Sequence, residues 1–137
     1  MKTRVLLLSF FISLNFFAQD IKVYFNQSVN NSISIYTDAQ TSAHLDDTIC
    51  KLIDMANSTL DIAVWDNGND QIVACINDAY DRGVQVRYIT SSNAFNSALS
   101  GLNSNIPILE RTSGISSDVM HNKFIIVDDA YVLTGSM

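Results

Sequence analysis

The stretch from Thr59 to Thr90 sets the tightest limit on how this chain can fold. "TLDIAVWD" (Thr59–Asp66) and "VQVRYIT" (Val84–Thr90) are near-continuous β-rich runs, the mark of strands covered on both faces. Between them Ile72, Val73, Ile76, Ala79 and Tyr80 recur at helical spacing. Asn69 or Asp70 is available as the cap of that helix, and Gly83 supplies the left-handed residue that ends it. Strand, helix and strand in this order make one right-handed crossover, so the two strands are parallel and the fold is α/β.

The flanking text extends that unit. Leu45, Ile49, Leu52, Ile53 and Ala56 predict a helix over Leu45–Ala56, with Thr41 or Ser42 as its cap. Upstream, "DIKVYFNQ" alternates Ile21, Val23 and Phe25 on one face and reads as a strand. The polar, turn-rich stretch Asn26–Ala43 reads as a loop with at most a short strand around Ile33 to Tyr36. Downstream, a short helix is expected over Asn93–Leu102, a short strand over Ile106–Leu109 and a polar loop over Ser113–Asp118. "KFIIVD" and "YVLTGSM" then form a hairpin closed by Asp128–Ala130.

Not all of the 137 residues belong to that domain. Lys2 and Arg4 precede the apolar run Val5–Phe17, and Ala18 follows as a small residue, the layout of a secretory signal peptide over residues 1–18. The run is short of the roughly 20 apolar residues that cross a bilayer, and Ser9, Ser13 and Asn15 interrupt it. Loss of the leader leaves six basic residues against fourteen acidic ones, a balance of −8. Such a surface does not by itself attract a nucleic acid backbone, whose affinity comes from Lys and Arg displacing counterions. A phosphate site in this chain has to be a local basic pocket. Cys50 and Cys75 each sit in an apolar helical stripe, where two buried thiols and a disulfide formed after export are both open readings; neither has metal-ligand spacing.

The densest chemistry lies at the chain's last residues, "HNKFIIVDDAYVLTGSM". Side chains alternate along a strand, so His121 and Lys123 share a face. A neutral imidazole can act as nucleophile or base on a phosphodiester, and a fixed ammonium can hold the non-bridging oxygens. Pairing about the 128–130 turn makes partner numbers sum to roughly 258. Gly135 and Ser136 therefore return to the His–Lys pair, giving a bare backbone for phosphate approach and a hydroxyl to bind it. Asp128 has the opposite parity and lies about 20 Å along the strand from His121, which suits a turn or packing carboxylate better than a direct acid.

The spacing His-x-Lys, four residues, Asp, six residues, Gly-Ser resembles the motif of the phospholipase D superfamily. On that resemblance His121, Lys123 and Asp128 form the catalytic set, and Lys123, Gly135 and Ser136 bind the substrate phosphate. "STLDIAVWD", "QIVACINDAYDRGVQVRYI" and "IPILE" resemble, in order, the first strand, the crossover and the strand before the motif in exported bacterial members. The implied fold is a mixed β-sheet with flanking helices, an α/β/α sandwich incomplete at its C-terminus, with residues 19–137 as the N-terminal part of the catalytic domain. The implied activity is metal-free phosphodiester hydrolysis through a phosphohistidine, with no cofactor and a phospholipid headgroup as the favoured substrate. Nucleic acid cleavage and a catalytically inactive fragment or binding module are the alternatives. The chain stops inside the family's motif, so a second His-x-Lys motif is expected from downstream sequence or from a homodimer partner. His44 lacks a lysine two residues on and reads as an exposed helix-end residue. Asp66, with Asn67 and Asp70, lies where α/β sheets bind ligands but reads first as turn and cap chemistry. Trp65 reads first as core, and Arg87 either pairs with an acid or lines the site.

Overall fold

The computed structural model describes residues 20–33, 35, 39–42, 44–112 and 120–135. The leader, the loop at Ser113–Asp118, Ser136, and Ser34 and Tyr36 of the short strand considered around Ile33 to Tyr36 lie outside them, while Ile33 ends a 3-10 turn over Asn31–Ile33. Two elements open the chain, β1 (Tyr24–Phe25) and β2 (Gln40–Thr41), paired in parallel. The longer N-terminal strand expected from Ile21, Val23 and Phe25 reduces to these two residues of β1. All three side chains are exposed, so alternation there finds no core to bury against.

The domain follows as α1 (Leu45–Asp54), β3 (Thr59–Val64), α2 (Asp70–Asp81), β4 (Gln85–Ser91), β5 (Ile108–Arg111), β6 (Lys123–Val127) and β7 (Tyr131–Thr134). The sheet order is β5-β4-β3-β6-β7. β3, β4 and β5 run parallel, β6 is antiparallel to β3, and β7 is antiparallel to β6. This is the mixed sheet that the crossover and terminal hairpin imply. Asn69 caps α2 by accepting the Ile72 N–H at 3.1 Å. Gly83, at φ 93°, closes the helix with its N–H on the Tyr80 carbonyl, and Val84 N–H reaches Ala79. At α1 the cap differs from expectation: Thr41 belongs to β2, Ser42 Oγ donates to the His44 carbonyl, and His44 holds the cap position without a side-chain bond. The Asn93–Leu102 helix contracts to one 3-10 turn at Ser97–Gly101, and the third parallel strand begins two residues later than predicted.

Both helices cover one face of the sheet. Ile49 and Ile53 of α1 and Ile72, Val73, Ile76 and Ala79 of α2 pack on Leu60, Ile62, Val86, Tyr88, Ile125 and Val127. Cys50 and Cys75 form a disulfide that joins α1 to α2, with Cα atoms 5.6 Å apart, which resolves the two readings left open by their spacing. On the opposite face Ile89 and Val132 are exposed, and Arg87 forms a bidentate ion pair with Asp61 across β3 and β4. Coverage of the strands on both faces is therefore met on one face only among the described residues. That leaves Arg87 in a cross-strand pair in mid-sheet, away from the chain's chemistry at the strand ends.

Candidate active site

The hairpin fixes the site's register. Phe124 pairs with Thr134 and Val127 with Tyr131, partner numbers that sum to 258 as turn geometry predicts. Asp128 and Asp129 both take left-handed backbone, at φ 52° and 53°, and Ala130 N–H closes the turn on the Val127 carbonyl at 2.9 Å. Positive φ at both central positions is what a primed hairpin turn needs, and Asp tolerates it better than branched residues. One further step in register sets Gly135 across from Lys123, and Thr134 Oγ1 donates to the Lys123 carbonyl at 2.9 Å. Among the described residues, a side chain at Gly135 would meet nothing within 4 Å, so the backbone there is bare.

Asp128 stands at the other end of β6 from the His–Lys pair. Its carboxylate accepts the backbone N–H groups of Asn57, Ser58 and Thr59 at 3.0, 2.8 and 2.9 Å, and its own N–H donates to the Thr59 carbonyl. Those donors favour the ionised form and hold its pKa below the ordinary carboxylate value, the Thr59 N–H most strongly. The place among catalytic groups that the motif gives Asp128 is thus not one its position supports. It clamps the turn to the start of β3 and fixes β6 against that strand. A one-residue slip there would send His121 and Lys123 to the opposite face.

At the near end of β6 Lys123 faces Val64, and Trp65 N–H donates to the Asn122 carbonyl at 2.9 Å. Lys123 Nζ lies 3.2 Å from Nε2 and 3.3 Å from Nδ1 of His121. Near-equal distances to the two ring nitrogens place the ammonium over the imidazole face, not along either in-plane lone pair. The indole of Trp65 completes the group: its ring centroid is 5.0 Å from that of His121, tilted 46°, and 5.6 Å from Lys123 Nζ. His121 is exposed and Lys123 half-buried.

The loop after β3 is tied to the loop after β4. Asp66 accepts the Asn96 N–H at 2.7 Å, and Asn96 Oδ1 takes the Asn67 N–H and the Thr90 hydroxyl, each at 3.1 Å. Asn96 Nδ2 donates to the Ser91 carbonyl at 3.1 Å. Asn67 Nδ2 donates to Tyr88 Oη at 3.2 Å, and burial pushes the Tyr88 phenol up to about 12. Asp66 therefore serves turn chemistry, Asp70 begins α2, and the organising residue that sequence reading missed is Asn96. Its one visible signal is an Asn in a Ser/Asn-rich turn, and here it sits at φ 30°. The loop holds Phe95 with 87 % of its surface exposed, at the same sheet end as His121.

His44 is exposed at the start of α1. Among the described residues no three His, Cys, Asp or Glu side chains cluster as a metal-ligand set. Volume does not locate the site. A cavity of about 300 Å³ lies in the N-terminal arm between Phe25 and Ala39, and a smaller one of about 70 Å³ lies beneath Asp66 and Asn67. Neither contains His121 or Lys123, so the site is identified by its chemistry.

Residues 49–137 match the family model described as cardiolipin synthase, phospholipase D-like domain. The match spans well over half of the chain, and the chain belongs to that phospholipase D-like family. Its fold is similar to that of Nuc from Salmonella typhimurium, a phospholipase D family member, at 25 % identity and a TM-score of 0.56. That alignment covers 65 % of this chain and 60 % of the other. NucT from Helicobacter pylori shares the fold at 20 % identity and a TM-score of 0.51, covering 61 % of this chain and 59 % of its own. The chain thus spans about 60 % of the length of each of these relatives. No curated protein matches it.

Proposed function

We propose that this domain hydrolyses a phosphodiester through a covalent phosphohistidine, with a phospholipid headgroup as its substrate. The observation that carries the reading is the contact of Lys123 Nζ with the His121 ring at the start of β6, at the sheet end where parallel strands finish. In the first step a lone pair of His121 attacks phosphorus and a P–N bond forms as the P–O bond to the leaving group breaks. A second imidazole, from downstream sequence or a partner copy, gives its proton to the leaving oxygen. Water then attacks phosphorus, returns a proton to that imidazole, and the P–N bond breaks. Lys123 holds a non-bridging oxygen, and the open backbone at Gly135, with Ser136 beyond it, receives the phosphate.

Charge supports the lipid reading. A net charge of −6 disfavours a polyanion. Among the described cations Arg87 and Arg82 are paired with Asp61 and Asp54, away from His121. Phe95, exposed on a loop anchored by Asn96, suits an uncharged lipid interface beside the site. Export is part of the same proposal. The Cys50–Cys75 disulfide suits an oxidising compartment, and the apolar run before Gln19 suits a leader.

The test measures hydrolysis of phosphatidylcholine vesicles, a chromogenic phosphodiester and a single-stranded oligonucleotide by the natural full-length protein. His121→Ala abolishes all activity, and Lys123→Ala costs a factor of about 10² or more. Phe95→Ser lowers vesicle hydrolysis selectively, leaving the chromogenic substrate unaffected. Full activity in His121→Ala, or loss in EDTA reversed by a divalent ion, refutes the phosphohistidine route. Faster turnover of the oligonucleotide than of vesicles refutes the lipid assignment.

A further inference from the structure

We infer that Trp65 is a positioning residue that keeps the His121 imidazole and the Lys123 ammonium together in the empty site and lets the ammonium go to an arriving phosphate. Three features isolate the indole in this role. Its ring lies against both members of the pair, 5.0 Å from the imidazole centroid and 5.6 Å from Nζ. Its backbone N–H grips the carbonyl of Asn122, the residue between them, at 2.9 Å. Its Nε1 is buried with no acceptor among the described residues, and the ring does not join the main core cluster. Among the described residues, the contacts that orient the ring are therefore those with the pair.

The pair needs such a partner. His121 lies outside β6 and is exposed, so no strand pairing fixes its ring, and Lys123 Nζ is its one polar side-chain partner among the described residues. In this arrangement the ammonium rests over the imidazole, about equally far from both ring nitrogens, and within reach of the indole. A phosphate oxygen is a stronger partner for that ammonium than the imidazole, because the new bond joins opposite charges. As the ammonium moves to phosphate, the aromatic face keeps both groups in reach of the same atom. The kinetic part of this inference rests on the phosphodiesterase reading; the binding part does not.

Trp65 is the chain's single tryptophan, so its emission reports on this contact without interference. The full chain is titrated with inorganic phosphate, followed by tryptophan fluorescence, as wild type and as Lys123→Met and His121→Gln. The expected result is a saturable emission change in wild type that is lost in Lys123→Met. In parallel, kcat and KM for a chromogenic phosphodiester are measured in the natural full-length protein. Trp65→Leu lowers kcat about tenfold with little change in KM, and Trp65→Phe, which keeps an aromatic face, recovers most of that loss. An unchanged kcat in Trp65→Leu, an equal loss in Phe and Leu variants, or a phosphate response that persists in Lys123→Met overturns the inference. A wild type that binds phosphate with the expected emission change but cleaves no phosphodiester refutes the proposed function and leaves the binding role of Trp65 standing.

Discussion

Reduction of the Cys50–Cys75 disulfide offers the most direct test of how this fold is held. The two cysteines are 25 residues apart and join α1 to α2 across the helical layer. Closing a loop of that length removes roughly 12 cal/mol/K of entropy from the unfolded chain, about 3.5 kcal/mol at 25 °C. The folded state should survive without the bond, because Ile49, Ile53, Ile72 and Ile76 still pack the two helices on the sheet. Set against the roughly 5–15 kcal/mol that holds a domain folded, the loss is large without being total. For a domain of this size it corresponds to a fall in Tm of about 10–15 °C. The assay is thermal unfolding by circular dichroism with and without dithiothreitol, with a thiol titration in denaturant on each sample. Zero thiols rising to two on reduction, together with a drop of that order, is the expected result. Two thiols in the untreated protein would refute the pairing, and a shift below about 3 °C after complete reduction would refute the loop-entropy reasoning.

Asp128→Asn should lower stability at neutral pH and remove an acid-sensitive component. The folded pKa is depressed below the ordinary 3.8, so its contribution is complete above 3.8 and is lost as pH falls through the folded value. Urea midpoints between pH 2 and 7 check this, and parallel pH curves for wild type and variant would contradict the clamp. Tyr88 makes the opposite prediction at high pH: with its folded pKa raised to about 12, its stabilisation is complete below 10 and declines as pH rises toward 12. The cost by then is roughly 3 kcal/mol, and Tyr88→Phe should flatten that decline; an unchanged alkaline midpoint counts against it. Export predicts a mature N-terminus at Gln19 in secreted protein, and an intact Met1 in the exported fraction would end that proposal.

The sequence alone determined the parts of this protein governed by local periodicity and chain geometry. The crossover over Thr59–Thr90 requires parallel strands whatever surrounds it, and β3 and β4 are parallel. The hairpin register follows from the turn, because strand pairing counts residues symmetrically about it, and the observed pairs fall on the expected sum. Alternation likewise brings His121 toward Lys123, although β6 itself begins only at Lys123. What no local pattern contains is which distant groups arrive at a given atom. Asn57, Ser58 and Thr59 turned their N–H groups to Asp128 only because β6 docks antiparallel on β3. Arg87 could equally have lined a site or found an acid, and pairing across β3 and β4 decided for Asp61. Two apolar helix positions became a disulfide once α1 and α2 packed side by side. Trp65, by strand parity, would face away from Lys123, but β3 ends at Val64 and the chain is free beyond it to lay the indole against His121. Periodicity fixes direction along an element, whereas contact between elements is set by the packing of the whole sheet and its helical layer.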